Sequence, residues 1–325
     1  MGTNSTAKRA TRLRDSCLDT RGRRVLLSRI EGSAQARDLS VAPNCGGVGR
    51  IRHFRARADG PWPINPLPGL PAARWLKMEF APLSRAQVFQ LSGCSYRCWY
   101  CYVPYRMLSG NETVSEWLSP EDMIERYVAE NDRPKIIDLS GGSPDLVPEW
   151  IAWTMDAIQS RNLSGAVYLW SDDNLSSNLL MSQEQRTVLQ RIERYAGYGR
   201  VCCLKGLDAT SFAFTTGASA DEFELQLEIL RSYLATSIDV YGYITLAYLP
   251  TDDDRGRIRR LMDRLQTMRA DFLGRLVPLR IEKFSTMVGR LRDQRNDALR
   301  HQDELVGTWV EELASRSVHP IWSGL

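Results

Sequence analysis

The chain of 325 residues alternates short β-branched or aromatic runs with longer segments whose apolar residues recur every three or four positions. The short runs predict six strands, at 87–91, 135–139, 166–170, 200–204, 239–246 and 276–281. The longer segments predict helices at 120–130, 148–160, 182–196, 221–234 and 254–272. This alternation predicts an α/β fold with a parallel sheet covered by helices, as a barrel or an open doubly wound sheet.

The two ends of the chain differ from this middle part. Residues 1–80 show little periodicity, end in the Pro-rich PWPINPLPGLPAAR, and carry 13 Lys/Arg against 5 Asp/Glu up to residue 60. We therefore predict a basic N-terminal extension at 1–80, a core at 81–285 and a C-terminal helical cover at 286–325 that contains Trp309. The basic segment is either a solvated arm or a surface that attracts nucleic acid or another anion.

Composition bears on the class of protein. The chain is 43% hydrophobic and 25% charged, as in ordinary soluble proteins. It has no apolar run of the roughly 18 residues needed to cross a bilayer and no apolar stretch of a secretory signal near its start. We therefore expect a cytoplasmic protein.

Three of the seven cysteines fall within eight residues, in the segment GCSYRCWYC that follows the first predicted strand. An odd number of cysteines, clustered in this way, indicates metal ligands in a reducing compartment rather than a disulfide framework. Cys94, Cys98 and Cys101 would satisfy three irons of a four-iron cluster and leave the fourth iron open to an exchangeable ligand.

A zinc site is the alternative, and it would need a fourth Cys or His ligand. The candidates all lie far from the array in sequence: Cys17, Cys45, Cys202, Cys203, His53, His301 and His319. The four cysteines among them could also bind a second metal centre. The alternative from another class is thus a zinc-binding interaction protein whose basic arm contacts nucleic acid.

The array C-x3-C-x2-C, with Tyr100 before its last cysteine, resembles the signature of the radical S-adenosylmethionine (SAM) enzymes over residues 85–285. The resemblance implies a partial (β/α)6 barrel, a [4Fe-4S] cluster, SAM, and an electron donor such as flavodoxin or ferredoxin. It also implies an oxidoreductase that cleaves SAM reductively at the cluster, so that a 5′-deoxyadenosyl radical abstracts hydrogen from a substrate.

The same resemblance assigns contacts to SAM. In the cysteine loop Tyr100 would touch the cofactor. Gly141 and Gly142 resemble the glycine-rich motif that receives the SAM amino group, although Ser143 stands where many members carry Glu. After the third strand, polar side chains would bind the ribose or the amino-acid part of SAM, or would simply cap a turn: Ser171, Asp172 and Asn174.

The segment 201–217 resembles the D-L-K-x-x-D…T-G segment of activating enzymes for glycyl-radical enzymes, typified by pyruvate formate-lyase activase. Lys205 would then face the SAM carboxylate. Cys203 stands where that family has Asp, and its thiol is either a hydrogen donor or a small buried residue. No His lies beside Arg280 and Glu282 in the sixth strand, where the activases present one.

These departures favour a small-molecule, nucleotide or peptide substrate, of anionic or peptidic character, over a backbone glycine of a partner protein. Alternation along the fourth strand predicts that Val201, Cys203 and Lys205 share one face of the sheet. Cys202 is predicted to lie on the other face.

Overall fold

The computed structural model describes residues 3–325, which form ten strands and nine α-helices. The strands are β1 (Leu18–Asp19), β2 (Arg24–Ser28), β3 (Gly49–His53), β4 (Arg85–Gln90), β5 (Ser115–Leu118), β6 (Ile136–Ser140), β7 (Tyr168–Asp173), β8 (Tyr198–Lys205), β9 (Asp239–Thr245) and β10 (Leu276–Pro278). The helices are α1 (Thr3–Cys17), α2 (Gly69–Leu76), α3 (Pro120–Ala129), α4 (Pro148–Ser160), α5 (Arg186–Glu193), α6 (Ala209–Thr216), α7 (Glu222–Leu234), α8 (Asp254–Met268) and α9 (Asp293–Ser315).

A sheet of seven strands in the order β10-β9-β8-β7-β6-β4-β3 forms the centre of the molecule. Six strands of this sheet are parallel to one another, namely β4, β6, β7, β8, β9 and β10, so all six predicted strands and the α/β class are confirmed. Their spatial order follows their order in the chain, so each crossover steps to the same side. A doubly wound sheet would reverse direction, and the winding observed is therefore that of a partial barrel with β10 and β3 as its edges.

The two faces of the sheet bury different sets of side chains. Leu169 and Cys202 point outward into the core shared with helices such as α4, α7 and α8. Trp170 and Val201 point inward, with Cys203 packed against the same cluster. The predicted alternation along β8 is thus confirmed, because neighbouring residues of a strand face opposite sides of the sheet.

The predicted helices are present with shifted ends, whereas α1, α2 and α6 were not predicted. Ser119 caps α3 by accepting a hydrogen bond from the Asp122 N–H, and Pro120 occupies its first turn. The unpredicted helix α6 starts in a capping box between Asp208 and Ser211 and ends at Gly217 with φ +68°. Its Thr-rich sequence has low helix propensity, so the caps and the tertiary contacts stabilise it.

The segment predicted as an extension packs closely on the rest of the chain. Strand β3 adds an antiparallel edge to the main sheet beside β4, and β2 joins β1 and β5 in a second sheet. Helix α2 packs with Ala72 and Ala73 on the inward face of the main sheet. Residues 1 and 2 lie outside the described residues, and the proposed boundary near residue 80 stays a prediction.

Helix α1 lies against the segment that carries the cysteines. Arg9 donates to the Ser95 carbonyl at 3.1 Å, and Arg14 donates to the Glu149 carboxylate and to the Leu146 carbonyl at 2.9 Å each. Cys17 packs so near Gly93 that a Cβ on that glycine would lie 3.0 Å from its sulfur. The N-terminal helix therefore supports the cysteine loop.

At the other end of the chain, α9 packs on α8 and contains the fully buried Trp309. Glu312 of α9 accepts hydrogen bonds from Arg255 at 2.7 Å and from Arg259 at 2.9 Å. The predicted C-terminal helix is present. No helix within residues 3–325 combines the length and the apolar character that a membrane span requires.

Replacing Asp173 with Ala is expected to cost about 3–5 kcal/mol of unfolding free energy, measured by urea denaturation. Asp173 and Arg200 are both buried and pair at 2.7 Å, so the variant leaves a buried guanidinium without its counter-ion. The matched control is Asp132→Ala, whose carboxylate is 80% exposed and should contribute less than about 1 kcal/mol. Equal losses in the two variants would contradict the prediction.

Candidate functional site

A cavity of ≈ 510 Å³ opens at the carboxyl ends of the parallel strands, where ligand sites of α/β proteins form. It brings together residues from the cysteine loop and from three separate strand ends. The predicted site residues that line it are Cys94, Cys98, Tyr100, Cys101, Gly141, Gly142, Asp172, Asn174, Cys203 and Lys205.

The cysteine loop follows β4 and is held by its own backbone and by the turn after β6. Cys94 N–H donates to the Leu108 carbonyl at 3.2 Å, and Cys101 N–H donates to the Cys98 carbonyl at 3.1 Å. All seven cysteines are free thiols. In their present positions, no three His, Cys, Asp or Glu side chains of residues 3–325 come together closely enough for a single metal ion.

The three thiols of the loop lie in a buried environment. Burial raises the pKa of Cys98 to about 11 and that of Cys101 to about 12, and the neighbouring cysteines add to both shifts. The free thiols of Cys98 and Cys101 are therefore protonated at neutral pH, and metal binding would have to displace their protons. Arg97 donates to the Cys94 carbonyl at 2.6 Å, and Arg290 donates to the carbonyls of Cys98 and Cys101, so cationic groups surround the loop.

The paired glycines after β6 touch the cysteine loop through backbone atoms. A Cβ on Gly142 would lie 2.4 Å from the Gly93 oxygen and 2.5 Å from the Leu91 oxygen, so no side chain fits there. Gly141 has φ +78°, a conformation that favours glycine. The N–H of Ser143 donates to the Gly93 carbonyl at 2.7 Å and completes this contact.

Asn174 connects the glycine turn, the cysteine loop and β8. Its amide nitrogen donates to the Gly142 carbonyl at 2.6 Å and to Ser143 Oγ at 3.0 Å, and lies 3.8 Å from Cys94 Sγ. Its amide oxygen accepts from Lys205 Nζ at 2.7 Å. One side chain thereby fixes three walls of the cavity.

Lys205 is 4% exposed and points into the cavity at the end of β8. Its ammonium donates to Asn174 and, at 2.9 Å, to the Cys203 carbonyl, and it lies 5.5 Å from the centre of the Tyr96 ring. All of these partners are neutral. Among residues 3–325 no carboxylate pairs with this buried cation.

The residues that follow Trp170 in β7 alternate between the two faces of the sheet, and only one face lines the cavity. Ser171 bonds to the Tyr198 hydroxyl at 2.6 Å and does not line the cavity, so the structure does not bring it to the other predicted contacts. Asp172 does line the cavity and accepts from Ser140 Oγ. Its Oδ1 atom is buried without a hydrogen-bond partner among the described residues.

Tyr100 and Cys203 both line the cavity. Tyr100 packs edge-to-face on Trp99, with ring centres 5.6 Å apart. Burial raises the pKa of the Cys203 thiol above its ordinary value, so the group is protonated. Cys17, Cys45 and Cys202 are buried in the core outside this cavity.

The remaining predicted polar groups lie near the mouth. Arg280 and Glu282 line the cavity and pair with each other at 3.2 Å. Of the histidines considered as zinc ligands, His53 lines the cavity, with its Nδ1 at 3.3 Å from Ser40 Oγ. His301 is bound to Asp254 at 2.7 Å and does not line the cavity.

Two site residues that the sequence analysis missed come from β3. Arg50 and Arg52 line the cavity, and Arg52 contacts Asp138 at 3.2 Å and Asp172 at 3.6 Å. Burial, and then the charge of Asp172, raises the pKa of Asp138 to about 8 although both arginines oppose the shift. The alternation of basic and other residues in GRIRHF indicates a strand with both arginines on one face. The interpretation of the basic N-terminal segment as a solvated arm did not use this alternation.

No protein-family model and no curated protein matches the chain. The solved structures that resemble it include SuiB of Streptococcus suis bound to SAM, with 13% identity and a TM-score of 0.46 over 70% of this chain and 47% of SuiB. SuiB bound to the precursor peptide SuiA gives 14% identity and a TM-score of 0.45 over 72% and 46%. Native anSMEcpe with bound AdoMet gives 14% and 0.43 over 70% and 61%. The chain thus spans about half the length of SuiB.

Gly142→Ala is expected to lower the free energy of unfolding by about 1–3 kcal/mol, because the new methyl group collides with two carbonyl oxygens of the cysteine loop. Urea denaturation measures the loss. The control is Gly165→Ala, where a Cβ meets no atom within 4 Å and no such collision arises. A Gly142→Ala protein as stable as the control would show that the two loops do not pack in this way.

Proposed function

We propose that this chain is a radical SAM enzyme in which Cys94, Cys98 and Cys101 bind a [4Fe-4S] cluster. The observation that carries the proposal is that three free thiols and the buried cation Lys205 line the same cavity. The thiolates would occupy three irons and leave one for the cofactor. Cluster and SAM together would supply an electron and a 5′-deoxyadenosyl radical for hydrogen abstraction.

Lys205 would bind the carboxylate of SAM. A buried ammonium without a counter-ion is costly, and its present partners Asn174 and Cys203 offer only neutral oxygens. An anionic group entering the cavity would supply the missing charge. Because Asn174 holds the ammonium from the side of the glycine turn, the carboxylate would be positioned next to Cys94.

Hydrogen-bond acceptors for the rest of the cofactor lie at the ends of β6 and β7. Asp172 Oδ1 has no partner within the described residues and could accept from a ribose hydroxyl or from the SAM ammonium. The backbone of Gly141 and Gly142 lines the cavity without side chains, so a ligand could approach it closely. Tyr100 would contact the cofactor from the cysteine loop.

Segments from both ends of the chain cover the cavity and would exclude water from a reactive radical. Asp38 accepts from Ser285 N–H at 3.1 Å, and Thr286 Oγ1 donates to the Tyr102 carbonyl at 2.6 Å. We propose a small-molecule, nucleotide or peptide as substrate, flavodoxin or ferredoxin as electron donor, and the cytoplasm as location. Cys203, a neutral thiol on the wall, is the candidate catalytic residue.

Anaerobic reconstitution is expected to give about four irons per chain in the wild type and a clear loss in Cys98→Ala. After dithionite reduction with SAM, the wild type should form 5′-deoxyadenosine and the variant should not. Cys202→Ala is the control, because this buried cysteine faces the helices and not the cavity. Stoichiometric zinc without iron, or an intact cluster that yields no 5′-deoxyadenosine, would overturn the proposal.

Lys205→Met is expected to weaken SAM binding about ten- to hundred-fold, since one charge-assisted interaction of about 1.5–3 kcal/mol is lost. Anaerobic calorimetric titration of the reconstituted protein measures the affinity, and the iron content should stay unchanged. The control, Lys135→Met, removes an exposed lysine that precedes β6, at the amino end of the parallel strands and away from the cavity at their carboxyl ends. Equal affinities in the two variants would remove Lys205 from the cofactor site.

A further inference from the structure

A second buried cation, Arg50, lies in the cavity. It belongs to the edge strand β3, which is four positions along the sheet from β8, the strand that carries Lys205. Arg50 of β3 is 5% exposed and lines the cavity. Its side chain contacts the Tyr102 hydroxyl, with the guanidinium carbon 5.0 Å from the ring centre. Its Nε atom is buried without a hydrogen-bond partner in residues 3–325.

The carboxylates of this part of the cavity wall form their ion pairs with Arg52 and Arg280, and none of them pairs with Arg50. Asp138 and Asp172 pair with Arg52 at 3.2 and 3.6 Å, while Asp59 and Glu282 pair with Arg280. Within the described part of the chain no carboxylate lies within ion-pair distance of Arg50.

Arg55 is another guanidinium on this part of the cavity wall. It lines the cavity, donates to the Pro63 carbonyl at 3.0 Å and stacks over Trp62 at 5.5 Å. Burial lowers its pKa, and the charge of Arg280 lowers it further. Arg50 and Arg55 thus present two guanidinium groups that form no ion pair with residues 3–325, on the side of the cavity formed by β3 and the segment after it.

Burying an unpaired guanidinium is costly, and its planar fork matches the two oxygens of a carboxylate or phosphate. We propose that Arg50, assisted by Arg55, is the receptor for an oxyanion of the substrate, either a carboxylate or a phosphate. This inference names the substrate class of the proposed enzyme. It rests on the proposed function for the reaction that the substrate undergoes, whereas the binding of an anion at Arg50 does not depend on that reaction.

Two cationic centres would then divide the ligands between them. Lys205 on β8 would take the SAM carboxylate, and Arg50 on β3 would take the substrate. Tyr102, the partner of Arg50, follows Cys101 directly in the cysteine loop. The anionic end of the substrate would therefore be held beside the loop that carries the cluster.

The test is calorimetric titration of the reconstituted full chain with inorganic phosphate and, separately, with succinate. A Lys205→Gln background removes binding at the first cation, so that the remaining heat reports on Arg50. We expect Arg50→Gln to weaken the binding of one probe at least ten-fold and Arg50→Lys to weaken it less, because Lys keeps the charge but loses the fork. Arg85→Gln, an arginine paired with exposed Asp132, is the control and should bind as the background does.

The preferred probe distinguishes a phosphate from a carboxylate substrate. Undiminished binding of both probes in Arg50→Gln, or no binding in the background, would overturn the inference. Should Arg50→Gln fail to fold, Arg50→Lys decides: a loss of affinity supports the receptor, and wild-type affinity refutes it. Formation of 5′-deoxyadenosine by the wild type is measured separately, so a failure of the radical chemistry is distinguishable from a failure of the anion site.

Discussion

The contact between Gly142 and the backbone of Leu91 and Gly93 determines how the walls of the cavity meet. With carbonyl oxygens 2.4 and 2.5 Å from the position of a Cβ, the turn after β6 and the cysteine loop approach each other as closely as bare backbone allows. Cys94 is thereby brought to Ser143 and Asn174, and Asn174 in turn holds Lys205. Each of these interactions requires the first contact, because a looser turn would move the amide away from both partners.

The parts of the fold that could be predicted from the sequence are those that follow from the local pattern of apolar and polar residues. Six short apolar runs gave all six parallel strands, and alternation along β8 placed Cys202 and Cys203 correctly on opposite faces. The order of the strands was not predictable from the pattern, since a barrel and a doubly wound sheet share the same alternation. It depends on which strands pair, and that is a property of the whole chain.

The site was predicted where a motif sits at a strand end and missed where distant segments meet. Strand β3 pairs with β4 across more than thirty residues, and only that pairing turns Arg50 and Arg52 into the cavity. Ser171 and Asp172 were assigned together, yet β7 continues through Asp173, and its pleat sends Ser171 to the helices and Asp172 to the cavity. The face of the strand on which a residue lies therefore predicts its place in the site better than its position at the end of a strand does.

The bonds from Arg290 to the carbonyls of Cys98 and Cys101 have a consequence for the biogenesis of the protein. They join the cysteine loop to a segment 192 residues later in the chain, and helix α1 supports the same loop from the other terminus. During synthesis the loop would leave the ribosome long before Arg290 is made. Any metal delivered to these thiols in their final geometry must therefore arrive after the segment around Arg290 has been synthesised.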